Sequence, residues 1–307
     1  MRILVLGAGG FLGGHTARRL RALPGARVTD GGRTPARTHG TLDDRFTADL
    51  ATADGPGLAD ALRALAPDAV VNCAGATGGS PLTLAGANAR GPALLCEALQ
   101  AAAPDARLVH LGSAAEYGAP DGPRPSAESD PARPLGLYGA TKLAGTLAVT
   151  ESPLDAVVLR VFNPVGPYAP EATLPGRLAA ELRRAGPDGT VAVGDLSACR
   201  DFVDARDVAD AVARAVTAPG PLPRLINIGS GAARPARALA EGLARAAGFR
   251  GRVDEGGHGS RRSPAVPWQQ ADITTARTAL DWTPRRPLDD SLADLWAAHD
   301  RSAEPAR

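Results

Sequence analysis

Tyr138 and Lys142, in the run Tyr138-Gly-Ala-Thr-Lys142, stand four residues apart, a spacing that puts both side chains on one face of a helix. An ammonium beside a phenol favours the phenolate and draws its pKa below the usual ~10, so such a tyrosine can give or take a proton near neutrality. A surface tyrosine packed on a lysine stem would share the spacing. Composition argues for chemistry. Of the 34 basic residues, every one but Lys142 is arginine. Ala, Gly, Pro and Arg dominate the chain, as under a GC-rich coding bias, and any site needing only positive charge would drift to arginine. Lysine persists where a compact point charge is required, which a planar guanidinium does not supply. A lysine placed at random would follow one of the three tyrosines by four residues in about three of 307 placements.

Two other groups join that pair. Ser113 lies in His110-Leu-Gly-Ser113-Ala-Ala-Glu-Tyr117-Gly118, just past a strand-like run. A hydroxyl at the carboxyl end of a strand is placed to hydrogen-bond a substrate oxygen, because open α/β sheets bind ligands there; standing alone it would read as a turn or cap serine. Gly7, Gly10 and Gly13 recur every third residue between a strand and a helix, with Phe11 and Leu12 among them. The first glycine allows a tight turn, the second lets a pyrophosphate approach the backbone, and the third permits close helix–strand packing. The helix N-terminus then offers N–H groups to the phosphates. The pattern predicts dinucleotide binding.

The elements that must carry these groups alternate. Arg2 to Leu6, Ala26 to Thr29, Ala69 to Asn72, Arg107 to Leu111, Ala156 to Val161 and Leu225 to Ile228 read as strands. Phe11 to Leu23, Leu58 to Leu65, Ala87 to Ala103, Tyr138 to Thr150 and Asp204 to Thr217 read as helices. Strands alternating with helices predict an α/β fold, a Rossmann-type doubly wound parallel sheet covered on both faces. After Asn163 the Pro/Gly spacing tightens and elements shorten, which predicts a smaller mixed C-terminal substrate domain. The expected division is residues 1–165, rejoined by about 204–230, against residues 166–203 and 231–307. Ala119 to Pro134 reads as a surface loop and Ser302 to Arg307 as a frayed tail.

Composition excludes other classes. With 44% hydrophobic residues, 22% charged residues and a net charge of +1, the chain has material for a core and no electrostatic footprint for nucleic acid or an anionic membrane. No apolar run approaches the ~20 residues that span a bilayer, and the N-terminus reads as neither signal nor anchor. Cys73, Cys96 and Cys199 are too few and too scattered for a disulfide framework or a metal cluster. The expectation is a cytoplasmic protein with no bound metal, no nucleic-acid partner and no membrane partner.

Together these residues resemble an extended short-chain dehydrogenase/reductase of the NAD(P)-dependent epimerase/dehydratase group, over residues 1 to about 299. The four asparagines all fall in family-like stretches: Val71-Asn72-Cys-Ala-Gly75, Asn88-Ala-Arg-Gly91, Arg160-Val-Phe-Asn163-Pro and Ile226-Asn227-Ile-Gly-Ser-Gly231. Leu280-Asp281-Trp282-Thr-Pro284 is similar to the family's C-terminal ending. The resemblance implies that Gly7, Gly10, Phe11, Leu12 and Gly13 hold the cofactor diphosphate, that Asp49 and Leu50 meet the adenine, and that Ala74 and Lys142 also contact the cofactor. It makes Tyr138 the proton-exchanging group, Lys142 the residue that lowers its pKa and holds the nicotinamide ribose, and Ser113 the residue that orients the substrate oxygen.

Asn163, Arg200 and Arg262 match family positions that grip a nucleotide-sugar diphosphate, for which the guanidinium fork is suited. The stretch from Val193 to Val208 looks most like 4-keto-6-deoxyhexose reductases acting on GDP sugars. Two departures are the region after Asn163, which reads Pro-Val-Gly-Pro-Tyr168-Ala-Pro without the usual Gly-Gln, and Ala265 in place of a common Asp.

NAD or NADP turns on where the second strand ends. If at Thr29, Asp30 could hold the adenosine ribose; if it runs through Gly32, Arg33 stands at its tip and could pair a 2′-phosphate. The spacing from Val28 to Arg33-Thr-Pro resembles NADP users, with Arg37 adding charge, so NADP is expected first and NAD second.

The expected reaction is reduction of a sugar 4-ketone on a nucleotide sugar. Alternatives are a nucleotide-sugar epimerase retaining NAD, a ketoreductase for a non-sugar, polyketide-type metabolite, and a non-catalytic NADP sensor. Ala114 and Ala115 stand where a dehydratase would carry an acidic pair. Helices 88–103 and 138–150 match family dimer interfaces, so a homodimer is expected.

Overall fold

In the computed structural model, which describes residues 1–33, 45–257 and 266–302, the apolar runs become strands and the amphipathic runs cover them. The strands are, in chain order, β1 Arg2–Leu6, β2 Arg27–Gly32, β3 Arg45–Thr47, β4 Ala69–Asn72, β5 Arg107–Ser113, β6 Ala156–Val161, β7 Asn163–Val165, β8 Thr190–Ala192, β9 Cys199–Asp204, β10 Leu225–Ile228, β11 Ala233–Pro235 and β12 Arg252–Asp254. The helices are α1 Phe11–Arg21, α2 Gly55–Leu65, α3 Pro81–Ala85, α4 Gly91–Ala102, α5 Leu137–Thr150, α6 Leu174–Ala185, α7 Ala205–Thr217, α8 Ala236–Ala246, α9 Thr274–Leu280 and α10 Leu288–Ser302.

Seven strands form one sheet in the order β10-β6-β5-β4-β1-β2-β3, and every pair in it is parallel. Such a sheet is buried on both faces. On one face Val5, Val71, Val109 and Leu159 pack with α1 and α7; on the other Leu4, Val70, Leu108 and Val158 pack with α2 and α4. The strand order reverses between β1 and β4, and the crevice outside the carboxyl ends of those strands is where open α/β sheets take ligands. A smaller mixed sheet, β11-β9-β7, and a two-stranded pair, β12-β8, surround a third core containing Leu178, Leu182, Phe202, Leu239, Leu243, Leu292 and Leu295. From the C-terminal part, Ala271, Ile273, Ala276, Leu280 and Trp282 pack into the large sheet's core, where Trp282 donates its indole N–H to the Asp207 carbonyl at 3.0 Å.

Several boundaries differ from those read along the chain, and three of them have a plain physical cause. β2 continues through Gly32 because β3 pairs with Asp30, Gly31 and Gly32, a long-range partner that single-strand periodicity does not show. Helix α2 starts at Gly55, where the Asp54 carboxylate caps it by accepting the Gly57 N–H at 2.7 Å. The helix read as starting at Ala87 begins at Pro81 and passes through one π-turn, Gly86–Arg90, before α4. Pro92 has no N–H for the carbonyl of Asn88 four residues before it, and Gly145 of α5 comes so close to that carbonyl that a Cβ would collide with it.

Candidate functional site

The crevice at the strand-order reversal begins with the glycine turn. Gly7 sits in the left-handed region at φ +78, and a Cβ there would lie 2.8 Å from the Ala74 nitrogen, so the loops after β1 and β4 touch. A Cβ on Gly13 would collide with the Gly7 carbonyl oxygen, which is the close packing that only glycine permits. Helix α1 carries no acidic residue in its first turn and no side-chain cap at Gly10; its first helical bond runs from the Gly14 N–H to the Gly10 carbonyl. The N–H groups of Phe11, Leu12 and Gly13 therefore have no partner in their own helix. This cradle fits an anionic diphosphate.

Around it, Ala74 is half-buried and its N–H donates to Asn72 Oδ1 at 3.0 Å. Asp49 closes its own turn, accepting the Ala51 N–H at 3.1 Å, while the Leu50 side chain is buried in the core. Arg90 braces that turn through the carbonyls of Leu50 and Ala53 at 3.0 and 2.8 Å. Arg33 is exposed at the tip of β2. The alternative ribose ligand, Asp30, has its carboxylate tied to Arg21 at 2.6 Å. Arg37 lies outside the described residues.

Lys142 and Ser113 come together at the end of β5. Lys142, only 6% exposed, donates from Nζ to the Leu111 carbonyl at 2.5 Å. Burial pushes its pKa down, opposed by the negative charge of Glu116 and then by Cys73. One turn earlier on α5, Tyr138 is half-exposed. Gly139 follows it and abuts the Ala115 carbonyl, with which a Cβ would collide; that contact seats the start of α5 on the short 3-10 turn Ala114–Glu116, which Ser113 caps. Ser113 Oγ accepts the Ala115 N–H at 3.2 Å, so the cap role read for an isolated serine is real, and its own O–H remains available to donate. Asn88 holds the loop after β4 against α5, bonding both the N–H and the carbonyl of Ala76 at 2.8 Å and Thr141 Oγ1 at 3.2 Å.

In the smaller mixed sheet, Arg200 of β9 is half-buried. Burial draws its pKa down, and its hydrogen bond goes to the neighbouring Cys199 carbonyl at 2.8 Å. Among the described residues it has no carboxylate partner. Arg234 of β11 stands directly opposite it in the antiparallel register, also without an acidic partner among the described residues. Like charges facing across a ladder repel, so this pair suits an anion. Asn163 donates both amide hydrogens within the protein, to the Asp201 carbonyl and to Gln269 Oε1, each at 2.9 Å, which leaves Oδ1, an acceptor. Gln269 in turn donates to the Ala114 carbonyl at 3.3 Å. Arg262 and Ala265 lie outside the described residues.

Sequence reading missed Arg234 and Gln269, and named Asp201 only within the stretch Arg200-Asp201-Phe202 without its structural role. The fully buried Asp201 carboxylate gathers the N–H groups of Ser230, Gly231 and Ala271. It missed Glu116 as well, although Ser113-x-x-Glu116 is a visible capping-box spacing.

A model described as the NAD dependent epimerase/dehydratase family matches residues 3–229. The chain belongs to that family. This epimerase/dehydratase chain is 38% identical, over 97% of its length and 95% of the relative's, to dTDP-6-deoxy-L-talose 4-dehydrogenase (NAD(P)(+)) of Kitasatospora kifunensis. It is 30% identical to UDP-glucose 4-epimerase of Mycolicibacterium smegmatis over 95% of this chain and 96% of that one. Among solved structures, MoeE5 in complex with UDP-glucose and NAD superposes with a TM-score of 0.82 at 29% identity, covering 99% of this chain and 100% of that one. The protein is an NAD(P)-dependent oxidoreductase of the extended short-chain dehydrogenase/reductase type, with a Rossmann-type sheet. Among its described residues no helix is long and apolar enough to cross a membrane.

Proposed function

We propose that this oxidoreductase reduces the 4-keto group of a nucleotide-diphosphate 4-keto-6-deoxyhexose and catalyses the reverse oxidation of the 4-hydroxyl. One observation carries the reading: the likeness along nearly the whole chain to a dTDP-6-deoxy-L-talose 4-dehydrogenase, which favours a dTDP sugar over the GDP sugar suggested by residues 193 to 208. NADP is the first-choice cofactor and NAD the second. Supporting that order, β2 runs through Gly32 and leaves Arg33 at its tip, while Asp30 is engaged by Arg21.

Gly7, Gly10, Phe11, Leu12 and Gly13 would hold the cofactor's diphosphate, Asp49 and Leu50 would border its adenine, Arg33 its 2′-phosphate, and Ala74 and Lys142 its nicotinamide end. When bound, the nicotinamide supplies or accepts the hydride. Tyr138 gives the proton to the sugar oxygen in reduction and takes it in oxidation. Lys142, as ammonium, favours the phenolate. Ser113, its oxygen committed to the Ala115 N–H, donates its O–H to the substrate oxygen as charge develops there. Arg200, with Arg262 and Arg234, would hold the sugar-nucleotide diphosphate; Asn163 would border it through Oδ1. The reading also includes a homodimer through α4 and α5, whose exposed Leu137 and Leu147 suit a covered face, and a cytoplasmic location, which three free cysteines suit.

The test is to follow absorbance at 340 nm with dTDP-6-deoxy-L-talose and added NADP+ or NAD+. Turnover that requires added cofactor, with the higher kcat/KM for NADP+, is expected. The 30% identity to a UDP-glucose 4-epimerase supports a second reading. Under that reading the protein would interconvert UDP-glucose and UDP-galactose with no added cofactor and release NAD on denaturation. Thermal stabilisation by NADP without any by dTDP, UDP or GDP would shift the reading to a non-sugar ketone. Cofactor binding with no turnover of any ketone would indicate a sensor.

A further inference from the structure

Beneath Ser113 and Lys142 lies a charge pair that the proton-transfer chemistry above does not use. Glu116 is fully buried and Arg160 is 3% exposed; Arg160 Nε donates to Glu116 Oε2 at 2.9 Å, and its guanidinium stacks on the Tyr117 ring at 4.2 Å. The other carboxylate oxygen, Oε1, accepts the Ser113 N–H at 2.7 Å. β4 stops pairing with β5 at the register Asn72–His110, and β5 runs on for three residues. Of its backbone groups beyond that register, the Leu111 carbonyl is taken by Lys142 and the Ser113 N–H by Glu116. Gly112 stands between them, and a Cβ there would lie 2.9 Å from Glu116 Oε1. The absent side chain is what lets the carboxylate reach under the strand.

We propose that Glu116 is a positioning residue: anchored by Arg160, it fixes Ser113 at the end of β5 and supplies the negative charge that keeps Lys142 an ammonium ion. The other groups around α5 do not supply that charge. Cys73, at the end of β4, is a thiol pushed up to about 12 by burial. His110 on β5 is held well below its usual value by burial and then by Lys142, and neither ring nitrogen has a hydrogen-bond partner. Arg160 on β6 is positive and bound to Glu116. Arg90 in the π-turn is turned to the carbonyls of Leu50 and Ala53. Glu97 on α4 is exposed, and α3 carries no ionisable residue. On α5 itself Tyr138 is the other ionisable side chain. An isolated buried ammonium tends to lose its proton, and an opposite charge within a few ångströms restores it by one to three pH units, as an order of magnitude.

The role given to Lys142 rests on the proposed function; its protonation does not, and the chain's single lysine makes it measurable without substrate. Protein carrying 13C/15N-lysine shows one side-chain signal, whose titration reports Lys142 alone. Three forms are compared: wild type, Glu116→Gln, and the double variant Glu116→Met/Arg160→Met. The double variant removes both charges together and so avoids stranding a buried guanidinium. The expected order of titration midpoints is wild type highest, the double variant lower, and Glu116→Gln lowest, at least about one pH unit below wild type.

With dTDP-6-deoxy-L-talose as probe, kcat should fall at least about tenfold in both variants with KM little changed, as for a lost positioning interaction. A pair that serves only structure would leave the double variant with the wild-type midpoint and kcat, and that result overturns the proposal. Failure of both variants to fold would overturn it too. If the midpoints shift as expected but wild type does not turn over the probe, the substrate reading fails and this one stands.

Discussion

Gly139→Ala separates helix propensity from site geometry. In an open helix interior alanine is favoured over glycine by about 0.5–1 kcal/mol, so propensity alone predicts a more stable protein with unchanged turnover. In this structure a Cβ at position 139 collides with the Ala115 carbonyl oxygen and would lie 3.1 Å from the Ala115 carbonyl carbon and 3.0 Å from Pro134 Cβ, where carbon atoms settle at about 3.5–4.0 Å. Relief requires α5 or the turn after β5 to move by about 0.5–1 Å. That movement separates Tyr138 and Lys142, which ride on α5, from Ser113, which caps the turn. A misplacement of about 1 Å costs on the order of a hundredfold in rate, and overpacking costs about 1–3 kcal/mol in stability. Steady-state kinetics with dTDP-6-deoxy-L-talose should show kcat lowered by about 10²-fold with the cofactor KM within about threefold, since the glycine turn on α1 is untouched. Thermal melting should show a lower Tm. Gly55→Ala serves as the comparison: its Cβ would meet Leu94 at an ordinary 3.5 Å, so this variant should melt no lower than wild type. If Gly139→Ala keeps full kcat and gains stability, the seating of α5 on the Ser113 turn is not what aligns the site.

Three other outcomes are expected. Tyr138→Phe should lower turnover by at least about 10³-fold while NADPH titrates by fluorescence with a Kd within about twofold of wild type; retained turnover would remove Tyr138 from proton exchange. Arg200→Gln should raise the nucleotide-sugar KM by about 10-fold with little change in kcat, and Arg200→Gln/Arg234→Gln by more, as expected when a charge-assisted phosphate contact is lost. An unchanged KM in the double variant would place the diphosphate elsewhere. His110 and His15 are both held below their ordinary 6.5 chiefly by burial, so from that pH downward the unfolded chain takes up protons that the fold refuses. Stability is complete above about pH 6.5 and falls on acidification, by up to about 1.4 kcal/mol per pH unit for each proton. Melting from pH 7.5 to 5 should show this slope, and His110→Leu should flatten it; an unaltered slope would show that His110 is not a source.

The chain announced its fold and its candidate proton-exchange pair through features that act over a few residues. Apolar runs such as Ile3 to Leu6 and Val70-Val71 have no stable place outside a sheet buried on both faces, and the glycine triplet and the Tyr138/Lys142 spacing are complete within one turn or one helix. Those are local geometries, so position along the chain was enough to find them. The three-residue strands β3, β7, β8, β11 and β12 were not legible, because a period of two needs more residues than they contain.

What the tertiary structure alone decided is which distant groups meet. Glu116 finds Arg160 across 44 residues, Gln269 links Asn163 to Ala114, Arg200 and Arg234 face each other by register, and β2 reaches Gly32 because β3 pairs with it. Strand order and helix seating are set by burial summed over the whole molecule, a quantity that no short window of sequence contains.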